Sequence, residues 1–416
     1  MTKPKIGILH YTVPPVVGGV EAVIQAQAGL LSRLGYPVTV IAGRGEVTAL
    51  PPGVEFVRLP KVDSQNEEIL QMNASLEQGK QYPGFEALVE ELAQLLQPVL
   101  VQVDHLIVHN VFTKHFNLAL TVALQRLIAL GVVRHTIAWC HDASWTSPSS
   151  RAKVYAGYPW DVLRTKLAGV TYVTVSVHRQ KALAALFACD IEDVHVVYNG
   201  VDLASLLNLC EETMALAARL GLPDADVVLL MPVRVTRAKN IEFALNVLAA
   251  LAQRWRAKLV LTGPPDPHDP ESMAYFASLQ EMSSALGVGQ DTHFVFSSGP
   301  DPNIPYWIGE RVVGDLYRLS DVMFMPSHRE GFGMPVLEAG LAGIPVVCAG
   351  IPAAQEIGGA DVTVFRLDET PERVAALIVE RLESSPLSRF RRRVRQAYTW
   401  EALFRRKIEP LLTTHG

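Results

Sequence analysis

Two pairs of charged residues sit where a chain turns from an apolar run into a helix. Glu330 and Glu338 are separated by seven residues in His328-Arg329-Glu330-Gly331-Phe332-Gly333-Met334-Pro335-Val336-Leu337-Glu338-Ala339-Gly340, shortly after the apolar run Val322 to Met325. Gly331 and Gly333 free the backbone to turn tightly and to approach a ligand, and Pro335 suits the first turn of a helix. The free amides of such a helix start, with its partial positive charge, form an anion site that suits a diphosphate. Glu338, about one turn in, is placed to accept hydrogen bonds from a ribose diol. Glu330 precedes the glycines and would meet whatever extends beyond the diphosphate. A helix cap flanked by surface acids is the plainer alternative, but the glycines, the proline and both acids fit one geometry. The second pair is Arg234 and Lys239, in Met231-Pro232-Val233-Arg234-Val235-Thr236-Arg237-Ala238-Lys239-Asn240. It also follows an apolar run and precedes a helical one. A guanidinium and an ammonium there would neutralise a diphosphate leaving group. One such charge pair at about 4 Å is worth roughly 4 kcal/mol at an effective dielectric near 20.

The elements that must position these residues alternate along the whole chain. Lys5 to His10 reads as a buried strand and Val20 to Leu34 as a helix. Further strands are expected at Val38 to Ala42, Leu106 to His109, His135 to Trp139, Tyr172 to Ser176 and Val194 to Val197. After about residue 222 the pattern restarts with Asp226 to Met231, Leu259 to Thr262, His293 to Phe296, Val322 to Met325, Pro345 to Cys348 and Val362 to Phe365. Strand–helix alternation implies parallel sheets covered on both faces, and two series imply two doubly wound domains. The boundary falls between Asn199 and Leu222. Two stretches read as elaborated loops, Pro60 to Pro83 and Gly263 to Ser284, and the segment Asp301 to Gly314 looks longer than its connection needs. The basic stretch with Arg389, Arg391, Arg392, Arg393, Arg395, Arg405, Arg406 and Lys407 reads as a solvated helix face, with weak peripheral contact to an anionic membrane as the sharper alternative.

Composition excludes several classes. The 416 residues are 49% hydrophobic and 19% charged, enough apolar material for sizeable cores. A net charge of −5 argues against nucleic acid as a partner. The four cysteines, Cys140, Cys189, Cys210 and Cys348, lie far apart and suggest neither a zinc site nor a disulfide framework. No metal is expected. Asp224-Ala225-Asp226 is formally a D-x-D, but it precedes a strand and reads as a turn. Gly287-Val288-Gly289 lacks the context of a dinucleotide fingerprint, so no cofactor is expected. The opening MTKPKIGILHYTVPP lacks the long apolar stretch of a signal peptide, and no apolar run reaches membrane-spanning length, so a soluble cytoplasmic protein is expected.

The E-x7-E of Glu330 and Glu338 within EGFGMPVLEAG, and the R-x4-K of Arg234 and Lys239, resemble retaining glycosyltransferase family 4. Gly18-Gly19-Val20-Glu21, Asn199-Gly200-Val201-Asp202 and Leu316-Tyr317-Arg318-Leu319-Ser320-Asp321 resemble further family segments, and Trp400 opens a terminal stretch like the family's last helix. The resemblance implies an α/β GT-B fold, two Rossmann-like domains facing a central cleft. Residues 1–200, joined by a terminal helix 399–416, would bind the acceptor, and residues 201–398 the nucleotide-sugar donor. It implies a metal-independent hexosyl transfer from a UDP-, GDP- or ADP-sugar to a hydroxyl acceptor with retention. The charge and the lack of a membrane helix tilt the acceptor towards a soluble sugar or small molecule over a lipid or polysaccharide.

By the same resemblance Glu338 would hold the ribose and Glu330 sugar hydroxyls. Arg234 and Lys239 would hold the diphosphate, and Gly18 and Gly19 form a loop whose Gly19 amide approaches the β-phosphate. Amides of Gly331, Phe332, Gly333 and Met334 line the phosphate or sugar. His141, in Trp139-Cys140-His141-Asp142, stands for the family's first-domain histidine beside the donor sugar; a satisfied structural histidine is the alternative. Asp142 would orient His141 or cap a helix. His109, Lys114 and Trp145 could line the acceptor site. A nucleotide-sugar-binding protein without transfer activity and a GT-B nucleotide-sugar epimerase are the alternative functions.

Overall fold

A computed structural model describes residues 3–301 and 303–413. Residues 1–2, 302 and 414–416, which belong to the expected first domain, the 301–314 segment and the terminal helix, lie outside the described residues. The chain divides into two compact units. One holds the described residues up to Gly200 together with those from Trp400 onward, and the other is Val201–Thr399.

The first unit is built on seven parallel strands: β1 Ile6–Thr12, β2 Val38–Arg44, β3 Val54–Arg58, β4 His105–His109, β5 His135–Cys140, β6 Val170–Thr174 and β7 Val194–Val196. They lie in the order β3-β2-β1-β4-β5-β6-β7. Alternate side chains point to opposite faces of a strand, so both faces must be apolar when both are covered. Ile6, Ile8, Val38, Val40, Ile107 and Ile137 bury one face under the Gly19–Arg33 helix and under Trp400, Phe404, Ile408 and Leu412 of the terminal helical segment. Leu9, Ile41, Leu106, Val108 and Ala138 bury the other under the Phe85–Leu100 and Leu118–Ala129 helices.

The second unit has six parallel strands: β8 Val227–Met231, β9 Ala257–Leu261, β10 Thr292–Phe294, β11 Val322–Met325, β12 Val346–Ala349 and β13 Thr363–Phe365, in the order β10-β9-β8-β11-β12-β13. The expected α/β class with two doubly wound Rossmann-like domains is therefore present. In each sheet the strand order reverses at one place, between β1 and β4 in the first and between β8 and β11 in the second. At such a switch point the loops leaving the carboxyl ends of two neighbouring strands part in opposite directions and leave a crevice.

Four expectations need correction. The Pro60–Pro83 stretch is not an open loop. It holds the Glu67–Leu76 helix, whose first turn is capped by the Asn66 side chain and whose Ile69, Met72 and Leu76 are buried at helical spacing. Likewise Gly263–Ser284 contains most of the Ser272–Ala285 helix, which buries Tyr275, Phe276 and Leu279. Strand β3 was not expected: it is an edge strand with only Val54 fully buried, so its apolar signal is weak. The basic residues from Arg389 to Arg395 lie on the Pro386–Ala397 helix and Arg405, Arg406 and Lys407 on the terminal segment, but Arg395 is not solvated. It is 7% exposed, and its guanidinium meets Asp321 at 2.8 Å and the carbonyls of Leu319 and Ala225.

Candidate functional site

In the second unit, the loops after β8 and β11 are tied together at the switch point. The His328 amide donates to the Ala238 carbonyl at 2.9 Å, and the Asn240 side-chain amide donates to the Pro326 carbonyl at 3.2 Å. This brings Lys239 onto Glu330: the ammonium donates to both carboxylate oxygens at 2.7 Å, and the Ser327 hydroxyl donates to Oε1 at 2.6 Å. The two side chains are 20% and 9% exposed, so the pair is shielded yet reachable from solvent. Arg234 lies on the same loop with its side chain 60% exposed, 4.0 Å from Asp266. That loose pair leaves most of the guanidinium open to solvent.

The chain beyond Glu330 enters the Met334–Ala342 helix through Gly333, whose φ of 96° is in the left-handed region that favours glycine. Pro335 occupies the first turn, and no side chain caps this helix start. Its amides are left for solvent or a ligand. Phe332 and Met334, 58% and 53% exposed, flank it. Glu338 is exposed on this helix, and its carboxylate accepts the Tyr317 hydroxyl at 2.6 Å. Tyr317 is a buried member of the Glu310–Leu319 helix. Burial, reinforced by Glu338, pushes its phenol up, so it stays an O–H donor and aims the carboxylate. The sequence marked Glu338 but not this partner. The signal was Tyr317 falling on the buried face shared by Val312, Leu316 and Leu319.

In the first unit the switch point carries histidines. His109 ends β4 and is 0% exposed, so it does not line a surface as expected. It stacks on His141, which follows β5, with ring centroids 5.3 Å apart, and its Nδ1 lies 3.0 Å from His141 Nε2. Its Nε2 lies 3.1 Å from the Gln27 Oε1 of the Gly19–Arg33 helix. His10, on β1, donates from Nδ1 to the His109 carbonyl at 2.9 Å, and Glu21 accepts from the Thr12 hydroxyl. Asn110, at φ 62°, accepts the His141 amide with its side-chain oxygen at 2.8 Å, which fixes the turn after β5. Burial lowers His141 to about 4, with the neighbouring His10 adding to it, and burial likewise lowers His109 well below its usual value. Both rings are neutral at neutral pH.

The remaining first-unit residues are not at His141. Asp142 does not orient it: the carboxylate pairs with Lys114 at 3.1 Å and with Arg179 at 2.8 Å. Lys114 is itself buried by that pair. Trp145 donates to the Trp160 carbonyl at 3.3 Å and is stacked by Arg151 and Arg164 at 4.6 and 4.4 Å, a packing role. Gly18 and Gly19 open the Gly19–Arg33 helix, and a Cβ on Gly19 would meet nothing within 4 Å. Beside Lys114 lies a cavity of about 410 Å³ that includes Ser64, Asn73, Glu77, His115 and Lys153 in its lining. Lys153 donates to Glu77 at 3.0 Å, and burial lowers His115 to about 4. Among the described residues, no group of three or more His, Cys, Asp or Glu side chains could hold a metal ion, and no helix is long and apolar enough to cross a membrane. Asp226 of the D-x-D is paired with Arg256 at 3.0 Å.

The strand ends of the second unit thus gather an uncapped helix start, two cations and two carboxylates. Residues 214–399 match the family model Glycosyl transferases group 1. Among curated proteins, the D-inositol 3-phosphate glycosyltransferase of Saccharomonospora viridis is 30% identical over 55% of this chain and 51% of its own length. The mannosylglucosylglycerate synthase of Thermotoga maritima is 24% identical over 82% and 80%. The chain spans about half the length of the first curated relatives it matches. Among solved structures, Anabaena HepE in complex with UDP and glucose is 18% identical, with 99% of this chain and 100% of that one covered at a TM-score of 0.35. The fold assignment rests on the strand order, not on that likeness. The matched residues make up nearly the whole of the second unit, and the match agrees with the resemblance as far as a glycosyltransferase.

Proposed function

We propose that the chain is a family 4-like, retaining, metal-independent glycosyltransferase that moves a hexose from a nucleoside diphosphate sugar to a hydroxyl acceptor. The observation that carries this reading is the meeting of Lys239, Glu330 and the uncapped Gly333 helix start at the switch point of the second sheet. Glu338, aimed by Tyr317, holds the ribose diol of the donor. Arg234, Lys239 and the helix amides take the charge that builds on the departing diphosphate, the task a metal ion performs in other transferases. Glu330 holds sugar hydroxyls, and the Lys239 ammonium it already carries is the natural bridge between sugar and phosphate. No side chain caps the helix that Gly19 opens, and the space where its Cβ would lie is empty, so a phosphate can approach the Gly19 amide. His141 addresses the donor sugar. Attack occurs on the face from which the diphosphate leaves, and the leaving phosphate helps to deprotonate the acceptor hydroxyl.

The acceptor is held by the first unit, and we place it in the cavity that includes His115 and Lys153 in its lining. Ser64, Asn73, Glu77 and Lys153 offer hydrogen bonds there beside the apolar Leu70 and Phe116, which suits a small hydroxylated acceptor, and the names of the two curated relatives point to small polar products or acceptors as well. Two measurements test the reading. Proton NMR of the transfer product should show the donor's anomeric configuration preserved, and turnover should persist in excess EDTA. An inverted product, or activity abolished by EDTA and restored by a divalent cation, contradicts it.

A further inference from the structure

The geometry points to Gln27 as a positioning residue that, through the buried His109, fixes the tautomer of His141 and leaves His141 Nδ1 as a hydrogen-bond acceptor. A carbonyl oxygen only accepts, so Gln27 Oε1 at 3.1 Å requires the proton of His109 on Nε2. A neutral His109 then offers a lone pair at Nδ1, and His141 must donate to it from Nε2 at 3.0 Å. The remaining nitrogen of a neutral His141, Nδ1, is bare. No described residue hydrogen-bonds it, and it can accept a hydroxyl proton from a bound molecule. The chain of bonds works only if both imidazoles are neutral, and burial keeps them so. Turning the Gln27 amide over would reverse every bond and make Nδ1 a donor.

Packing does not account for Gln27. It is 2% exposed on the apolar face of the Gly19–Arg33 helix, beside Val23, Ile24, Ala28 and Leu31, and its amide nitrogen has no partner among the described residues. A methionine would fill the same volume without an unpaired buried donor. A glutamine there carries a cost that tautomer control explains.

The inference rests on the proposed function only for its consequence, the hydroxyl that Nδ1 meets. It is tested directly on the full chain labelled with ¹⁵N-histidine at neutral pH, with His141 assigned by loss of its signals in His141→Asn. Wild type should show His141 protonated at Nε2 and bare at Nδ1. Gln27→Met should show a mixed population with a measurable Nδ1–H form. A wild-type His141 protonated at Nδ1, or the same tautomer in Gln27→Met as in wild type, overturns the inference. In parallel, donor hydrolysis by Gln27→Met should lose about tenfold in kcat at unchanged KM, the worth of one hydrogen bond to the reacting molecule. A tautomer shift with unchanged turnover would uphold the control by Gln27 and remove His141 from the proposed reaction.

Discussion

Lys239 and Glu330 illustrate how much a single side chain depends on its partner. The ammonium sits on a carboxylate that is only 9% exposed, and Ser327 supplies that carboxylate's remaining short contact. Lys239→Met removes the positive charge that the proposed function sets beside the leaving diphosphate, and leaves Glu330 half-paired. Donor turnover should fall by about 10² to 10³, the usual loss for one electrostatic donor aimed at developing charge. Stability should fall by about 1–3 kcal/mol in urea unfolding, because a shielded carboxylate loses its counter-ion. Tyr317→Phe acts differently. It removes the bond that aims Glu338 without touching the phosphate, so KM for the donor should rise about tenfold with kcat nearly unchanged. On the acceptor side, Lys153→Ala should raise KM for the acceptor and leave donor hydrolysis as in wild type; altered hydrolysis would move the acceptor elsewhere.

The elements explain why these residues meet. The Met334–Ala342 helix can present its amides only because Gly333 turns the chain at φ 96°. Gly333→Ala should cost about 1–2 kcal/mol by thermal unfolding and weaken binding of inorganic diphosphate, measured by calorimetry. The Pro386–Ala397 helix is anchored by Arg395, whose guanidinium and the Asp321 carboxylate are both below one-tenth exposed. Asp321 also accepts the Val228 amide of β8 at 2.8 Å. Arg395→Met should therefore cost about 3–5 kcal/mol, whereas Arg393→Ala on the exposed side should change stability by less than about 0.5 kcal/mol. The sequence spelled out most strands because continuous apolar runs are what a sheet covered on both faces demands. It hid β3, whose edge position dilutes the signal, and the Glu67–Leu76 helix, whose three buried residues lie among polar ones. It also hid the burial of Arg395, since a charge run looks the same whether one member is solvated or locked under a sheet.

For the molecule as a whole, the two units differ in what they bury. His10, His109, His115 and His141 of the first unit are all held below their usual range, chiefly by burial; among the described residues the second unit has His293 alone in that state. A histidine depressed in the folded state binds its proton in the unfolded chain first. Its stabilising contribution is complete above about pH 6.5 and is lost as pH falls towards the folded value, about 4 for His115 and His141. His115 and His141, both near 4 when folded, each remove on the order of 2 kcal/mol by about pH 5. Hydrogen exchange at pH 7.5 and pH 5 should show protection falling further in β4 and β5 than in β8 and β11; equal loss in both sheets would contradict this assignment. The second-unit cluster around Glu330 and Glu338 was legible because glycine, proline and paired acids at fixed spacing form a local pattern. Gln27, Tyr317 and the cavity at His115 were not, because their significance comes from neighbours distant in the chain.

The central claim is that the second unit holds a nucleoside diphosphate sugar at Arg234, Lys239, Glu330 and Glu338. Calorimetric titration of wild type and Glu338→Ala with UDP-, GDP- and ADP-sugars, in EDTA, tests it most directly. The account predicts saturable binding of one of these donors by wild type and at least a tenfold weaker affinity for that donor in Glu338→Ala. No binding of any donor by wild type, or equal binding by both proteins, would contradict it.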